Sequence, residues 1–255
     1  MSDEQLLRYA RHIMLDGFGF EGQERLLNCK ILMVGAGGLG APALMYLVAA
    51  GVGTIHLVDD DEVDLSNLQR QIVHTTDRVG MPKVESAKLM AQALNPEVNL
   101  IAHQQRYDDA MLDELIQEVD LVLECTDNFN TRQQLSRICF KHKIPMVSAA
   151  AIRFDGQLTV FDFRDLASPC YACQYDPSEN LQPDNCATLG VLSTVVGSIG
   201  MMQAHEALKL LLGIGQPLVG RMLMFDGRAT QWQEFKLTKN PRCSVCSSPD
   251  SPYIR

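Results

Sequence analysis

Lys30-Ile31-Leu32-Met33-Val34-Gly35-Ala36-Gly37-Gly38-Leu39-Gly40 is the stretch from which the fold is read. Behind Lys30 comes a short uninterrupted apolar run, the signature of a parallel strand buried on both faces. Gly35, Gly37 and Gly40 then fit Gly-x-Gly-x-x-Gly and lead into a helix reaching about Ala50. A second strand, Thr54–Val58, ends at Asp59. Strand, glycine turn, helix and acid-tipped strand are what a nucleotide site needs. Glycine lets the backbone approach a phosphate, the helix N-terminus favours its charge, and the acid can accept hydrogen bonds from ribose hydroxyls. The same residues also fit a glycine-rich turn packed on the sheet.

Outward from this unit the alternation continues. Helices are predicted over Lys83–Leu94, Ala110–Glu118 and Thr131–Lys141, with strands at Val98–His103, Leu121–Cys125 and Pro145–Ala149. Beyond Ala150 the rhythm turns antiparallel: Gln157–Phe163 after a turn at Asp155-Gly156, then Arg221–Phe225 and Gln231–Leu237 about Asp226-Gly227. A long apolar helix over about Leu189–Leu212 lies between them, and Gly197 and Gly200 on it are suited to close packing, in this reading against a second subunit. Residues 3–15 form an amphipathic helix with Ser2 and Gln5 spaced as a capping box. The fold class expected is α/β, a Rossmann-like doubly wound mixed sheet, parallel in its N-terminal half and antiparallel in its C-terminal half. One domain over 1–255 is divided into a helical arm (1–28), a nucleotide-binding half (29–150) and a second half (151–255).

A net charge of −9 argues against a nucleic-acid partner. The start of the chain is charged and amphipathic, unlike a secretory leader. The least charged stretch, Asn185–Ala204, carries too many polar residues for a membrane span and reads as a buried helix. Two Cys-x-x-Cys pairs, Cys170/Cys173 and Cys243/Cys246, have metal-ligand spacing, and four thiolates would close a tetrahedral zinc site. Redox-active or idle thiol pairs are the alternative, and reducing cytoplasm is the compartment implied. Cys29, Cys125 and Cys139 read as packing residues. Cys186 follows a polar loop and precedes the long helix, whose dipole would lower a thiol pKa there.

Asp64-Leu65-Ser66-Asn67-Leu68-Gln69-Arg70-Gln71 supplies a guanidinium and several amides just after the ribose acid, and Lys83 follows. Asp127-Asn128 stands at the carboxyl end of the fourth parallel strand, on the same sheet edge as the glycine loop. Two cations, amide donors and an acid able to hold magnesium suit a triphosphate better than a nicotinamide. Singly, Arg70, Lys83 and Asp127 each also fit a surface charge or ion pair.

With the glycine run, Leu65–Gln71, Cys125-Thr126-Asp127-Asn128 and the paired cysteines in this order, the chain resembles the MoeB/ThiF family from about Leu7 to Cys246. That family is the bacterial branch of the ubiquitin-activating-enzyme superfamily. The resemblance implies a cytoplasmic homodimer using Mg-ATP to adenylate the C-terminal glycine carboxylate of a ubiquitin-like sulfur-carrier protein ending in Gly-Gly. It implies that Gly38 lines the ATP loop and Asp59 takes the ribose. Asn67, Gln69, Arg70 and Lys83, within the nucleotide-binding run Ser66–Arg70 and beyond it, hold the triphosphate. Asp127 positions magnesium beside Asn128, and Arg11 reaches into the partner subunit's ATP site, whereas Arg8 stays a solvated surface charge. The four paired cysteines hold zinc, and Cys186 matches a cysteine that in some relatives links covalently to the carrier.

A nucleotide-dependent oxidoreductase and a carrier-binding scaffold with an idle site are the competing classes, disfavoured by the cationic cluster and the intact motifs. The carrier is read as the molybdopterin-synthase small subunit, with the thiamine thiazole carrier as alternative. Sulfur is expected from a separate donor such as a cysteine desulfurase or rhodanese.

Overall fold

The computed structural model describes residues 1–177 and 189–247. Strands β1 (Lys30–Val34), β2 (Thr54–Val58), β3 (Asn99–His103), β4 (Leu121–Glu124) and β5 (Met146–Ile152) run parallel. Strands β6 (Asp155–Phe161), β7 (Arg221–Asp226) and β8 (Gln231–Lys236) extend the sheet antiparallel, in the order β3-β2-β1-β4-β5-β6-β7-β8. The expected mixed sheet is therefore present. β1 has β2 on one side and β4 on the other, and this reversal of winding opens a crevice at the strands' carboxyl ends.

Helices α1 (Asp3–Ile13), α2 (Gly19–Asn28), α3 (Gly40–Ala50), α4 (Lys83–Leu94), α5 (Asp109–Ile116), α6 (Phe129–His142), α7 (Tyr171–Gln174) and α8 (Ser193–Leu212) complete the described elements. β1 shows why both faces must be covered. Ile31 and Met33 join one apolar cluster with Leu26, Leu47, Val84 and Ile199, so α2, α3, α4 and α8 lie on that face. Leu32 and Val34 join the other, with Leu112, Leu135 and Phe161, under α5 and α6. These four β1 side chains are fully buried, each worth about 2 kcal/mol of transfer free energy, while Lys30 is exposed. β8, at the sheet edge, is exposed along its whole length.

The N-terminal arm is two helices, broken where Gly17 and Gly19 take positive φ. The Ser2–Gln5 capping box is formed reciprocally, at 2.9 and 3.2 Å. Tyr9 anchors α1: it is buried, and its hydroxyl accepts from Asn95 Nδ2 at 2.8 Å.

Three sequence expectations are corrected. The β5–β6 turn is Arg153-Phe154, with Arg153 at φ +53°, and Asp155-Gly156 already pair with Ile152 and Ala151. Gly156 belongs there because a Cβ would lie 2.4 Å from Ile199 Cγ1. Regular helix begins at Ser193 and not Leu189, since Arg153 N donates to Gly190 O and Leu192 N to Arg153 O. Gly200 packs within the chain, where a Cβ would come 2.3 Å from Leu39 O, and Gly197 meets nothing within 4 Å. Among the described residues, no helix is long and apolar enough to cross a membrane.

Candidate active site

The glycine loop is locked to the end of β4 before it can hold anything. Gly35 has φ +103°, and a Cβ on it would sit 2.7 Å from Cys125 O. Gly35 N donates to Val58 O and Cys125 N to Val34 O, each at 2.9 Å. A Cβ on Gly40 would collide with Gly35 O, whereas at Gly37 the nearest atom is Gln71 Nε2 at 3.6 Å. Gly37 thus leaves room for a ligand, and Gly35 and Gly40 leave none. Asp59 braces this loop as well as tipping β2: Oδ2 accepts from Ala36 N at 2.7 Å and Oδ1 from Asp61 N at 2.9 Å. Burial pushes its carboxyl up, opposed by Lys83 and these two backbone donors.

His74 holds the loop from below. Its Nε2 lies 3.1 Å from Ala36 O and its Nδ1 2.9 Å from Ser86 Oγ. A carbonyl only accepts, so Nε2 carries the proton, and Nδ1 accepts from the Ser86 hydroxyl. Burial lowers this imidazole to about 4, so it is neutral near pH 7.

A cleft of about 1180 Å³ opens over the loop. Of the candidate residues, Gly35, Gly37, Gly38, Asp59, Asn67, Arg70, Lys83, Asp127 and Asn128 line it. Lys83 starts α4; it is nearly buried, with Nζ 2.8 Å from Asp61 Oδ2. Arg70 Nη1 donates to Ser66 O at 3.2 Å, and Asn67 Oδ1 accepts from Gln71 Nε2 at 2.7 Å. Asn128 caps α6 by accepting from Thr131 N at 3.1 Å. Asp127 is exposed beside it and forms no ion pair among the described residues.

Ser66, Leu68, Gln69 and Gly40 do not line the cleft. Ser66 turns its hydroxyl to Asp64, and Gly40 is enclosed at the start of α3. Arg11 is exposed on α1 and lies outside this chain's cleft. Cys186 lies outside the described residues. Past the glycine loop the cleft continues along the antiparallel strands to Gln157, Tyr175 and Met224.

The two Cys-x-x-Cys pairs meet although far apart in sequence. Cys170 Sγ lies 3.8 Å from Cys173 Sγ and 3.6 Å from Cys243 Sγ, and Cys173 Sγ lies 3.4 Å from Cys246 Sγ. Four sulfurs at about 2.3 Å from one central ion stand about 3.8 Å apart, so the cluster fits a tetrahedral thiolate cage. Asn240 N adds a donor to Cys173 Sγ at 3.4 Å.

The sequence pattern of the ThiF family matches residues 9–245. This chain belongs to the ThiF family. It is 47% identical over 249 residues to the molybdopterin-synthase adenylyltransferase of Escherichia coli, covering 96% of this chain and 98% of that one. It is 42% identical to the E. coli sulfur carrier protein ThiS adenylyltransferase over the full length of both. Among solved structures, E. coli MccB with ATP superposes with a TM-score of 0.80 at 22% identity, over 94% of this chain and 74% of that one, a likeness of fold.

Sequence reasoning missed the scaffold beneath this ThiF-family cleft. Glu124 is fully buried; its Oε1 accepts from Thr126 N and Thr126 Oγ1, both at 2.7 Å, and its Oε2 accepts from Ser148 Oγ at 2.8 Å. Arg132 Nε lies 3.3 Å from Glu124 Oε2, and its Nη2 donates to Thr126 O at 2.6 Å. An acid ending the apolar run Leu121-Val122-Leu123 was the available signal. Its partner Arg132, in the first turn of α6, had none. Arg106 and Tyr107, also lining the cleft, sit in a loop whose course local pattern does not dictate.

Proposed function

We propose that this ThiF-family chain adenylates the C-terminal carboxylate of a ubiquitin-like sulfur-carrier protein with ATP. The observation that carries the reading is convergence in one cleft. Arg70, Lys83 and Arg106 line the same space as the glycine loop and Asp127, and that space runs on to Gln157, Tyr175 and Met224. It offers one end for a nucleotide and the other for an extended Gly-Gly tail.

The chemistry needs charge and alignment more than proton transfer. A carrier carboxylate oxygen forms a bond to the α-phosphorus as the bond from that phosphorus to the bridging oxygen breaks. Pyrophosphate leaves with the electron pair. Two anions must approach each other, so preorganised cations supply most of the help. Lys83 and Arg70 face the triphosphate, with Asn67 as an amide donor. Gly37 and Gly38 let it lie against the backbone, and Asp59 receives the ribose. Magnesium, when bound, screens the phosphate charges, and the exposed, unpaired Asp127 is placed to hold it. The fit of the four sulfurs supports a structural zinc held by Cys170, Cys173, Cys243 and Cys246.

We assign the molybdopterin-type carrier, supported by the higher identity to that relative. The chain is proposed to work as a cytoplasmic homodimer with Arg11 entering the partner's cleft. Exposed Leu7, Met14, Leu15 and Phe20 on the same N-terminal arm support an interface there. Sulfur is assigned to a separate donor, a cysteine desulfurase or rhodanese. The described cysteines outside the cluster are buried, and burial pushes the Cys29 thiol up to about 11 and the Cys125 thiol well up.

ATP–pyrophosphate exchange, run separately with molybdopterin-type and thiazole-type carriers, tests this. Exchange with the first alone is expected. Exchange with the thiazole carrier alone overturns the pathway, and exchange with neither overturns the adenylation.

A further inference from the structure

Gln71 closes the amide-rich run that begins at Asp64. It is only 4% exposed yet lines the cleft beside the glycine loop, where a Cβ on Gly37 would lie 3.6 Å from its Nε2. One end of its amide is used and the other is not. Nε2 donates to Asn67 Oδ1 at 2.7 Å, while Oε1 is buried with no hydrogen-bond partner among the described residues. A buried acceptor left unpaired costs stability, so this orientation of the amide calls for a cause outside Gln71 itself.

The cause lies at the other end of the run. Asp64 is an exposed carboxylate and can only accept. Its Oδ1 takes hydrogen bonds from Ser66 N and from the Ser66 hydroxyl. With its proton committed to Asp64, the Ser66 oxygen accepts from Asn67 Nδ2 at 3.2 Å. Asn67 must then turn Oδ1 toward Gln71, and only the amide nitrogen of Gln71 can meet it. Asp64, Ser66, Asn67 and Gln71 form a one-way relay in which each bond sets the direction of the next. The backbone closes it, since Gln71 N donates to Asn67 O at 3.0 Å. Asn67 is thus held at both ends of its amide, with one Nδ2 proton to spare on a half-buried residue of the cleft wall.

We propose that Gln71 is a positioning residue for the nucleotide phosphates, acting through Asn67: by occupying Oδ1 it keeps the Asn67 amino group turned to an arriving phosphate. The inference rests on the reading of this cleft as an ATP site. The last torsion of an asparagine is broad and nearly two-fold, so the shape of Asn67 does not choose between its two faces. Hydrogen bonds make the choice. With the amide turned over, a carbonyl oxygen would face the phosphate oxygens, and an attraction would become a repulsion. Gln71 need not touch the nucleotide to prevent this.

The test compares Gln71→Glu, Gln71→Met, Asn67→Ala and the Asn67→Ala/Gln71→Met double variant with the wild type as full-length protein. Affinity is read for a non-hydrolysable ATP analogue by calorimetry and for adenosine, which has no phosphate, by saturation-transfer NMR. In Gln71→Glu the new carboxylate can only accept, so Asn67 turns its amino group inward and its carbonyl to the phosphate. Analogue binding should weaken more than about tenfold there and roughly fivefold in Gln71→Met, with adenosine affinity kept within about twofold in both. Gln71→Met buries no new charge and carries the test alone if Gln71→Glu does not fold. The double variant should bind the analogue no more weakly than Asn67→Ala, because one residue acts through the other. Wild-type analogue affinity in Gln71→Met, adenosine affinity falling in step with the analogue, or losses that multiply in the double variant overturn the proposal. If the wild type exchanges pyrophosphate with no carrier, the adenylation reading falls, and the comparison of analogue with adenosine still decides for or against Gln71.

Discussion

Lys83 Nζ lies 2.8 Å from Asp61 Oδ2, joining an almost wholly buried cation to a mostly exposed carboxylate. The partner's exposure makes the pair weak, within about 1 kcal/mol, so an arriving phosphate can displace Asp61. Lys83→Ala should lower kcat/KM for ATP roughly a hundredfold or more, whereas Asp61→Asn should change it less than about threefold. Steady-state exchange at varied ATP measures both, and equal losses would show Asp61 to be needed for more than holding Lys83 in waiting.

Asp127 is exposed and carries no described ion pair, so its removal should cost activity without stability. Asp127→Asn is expected to reduce kcat by roughly two orders of magnitude, with the thermal midpoint unchanged within about 1 °C. A magnesium titration of exchange should shift to higher concentrations. Calorimetry beside kinetics separates this outcome from a folding defect.

The Cys170–Cys173 turn and the Cys243–Cys246 segment are far apart in sequence, and their sulfurs meet within 3.4–3.8 Å. Titration with a mercurial reagent and a zinc indicator should release one metal ion per chain. The stripped protein should melt several degrees lower and expose the segment around Pro241 to proteases. No released metal and an unchanged melt would point to the thiol-pair alternative.

His74 makes stability depend on pH in a defined direction. Its pKa falls from 6.5 to about 4 on folding because burial disfavours the imidazolium. Between those values the unfolded chain binds the extra proton, so stability rises with pH. The contribution is fully present above about pH 6.5 and is lost as pH falls toward 4, about 3 kcal/mol in all. Asp59, raised by burial, works the opposite way, so the measurement is a difference. Denaturant melts at pH 4 and pH 7 should show wild type losing more stability than His74→Gln on acidification, by about this amount in all.

Gly35→Ala tests the lock under the cleft. The new Cβ would meet Cys125 O at 2.7 Å on a backbone at φ +103°. Loss of about 2–4 kcal/mol is expected from strain and clash together, with nucleotide binding weakened. Gly37→Ala, whose Cβ would meet only Gln71 Nε2 at 3.6 Å, should fold normally.

Local pattern decided a good deal here. The apolar runs of β1 and β2, the 3.6-residue rhythm of α4 and the Ser2–Gln5 cap depend on neighbours a few residues away, and the predicted bounds of β1, β2 and α4 match the observed ones. The glycine loop and the Cys-x-x-Cys spacings were legible for the same reason, since a turn or a ligand pair is a local geometry. Tertiary structure decided what is set by contacts distant in sequence. The β5–β6 turn falls at Arg153-Phe154, Gly156 packs within the paired strand against Ile199, and Gly200 packs on Leu39 of the same chain. Only folding set Asp59 to brace Ala36, or put Glu124 and Arg132 beneath Thr126. A buried charge must find its partner wherever the chain brings one, and no periodicity records which residue that is.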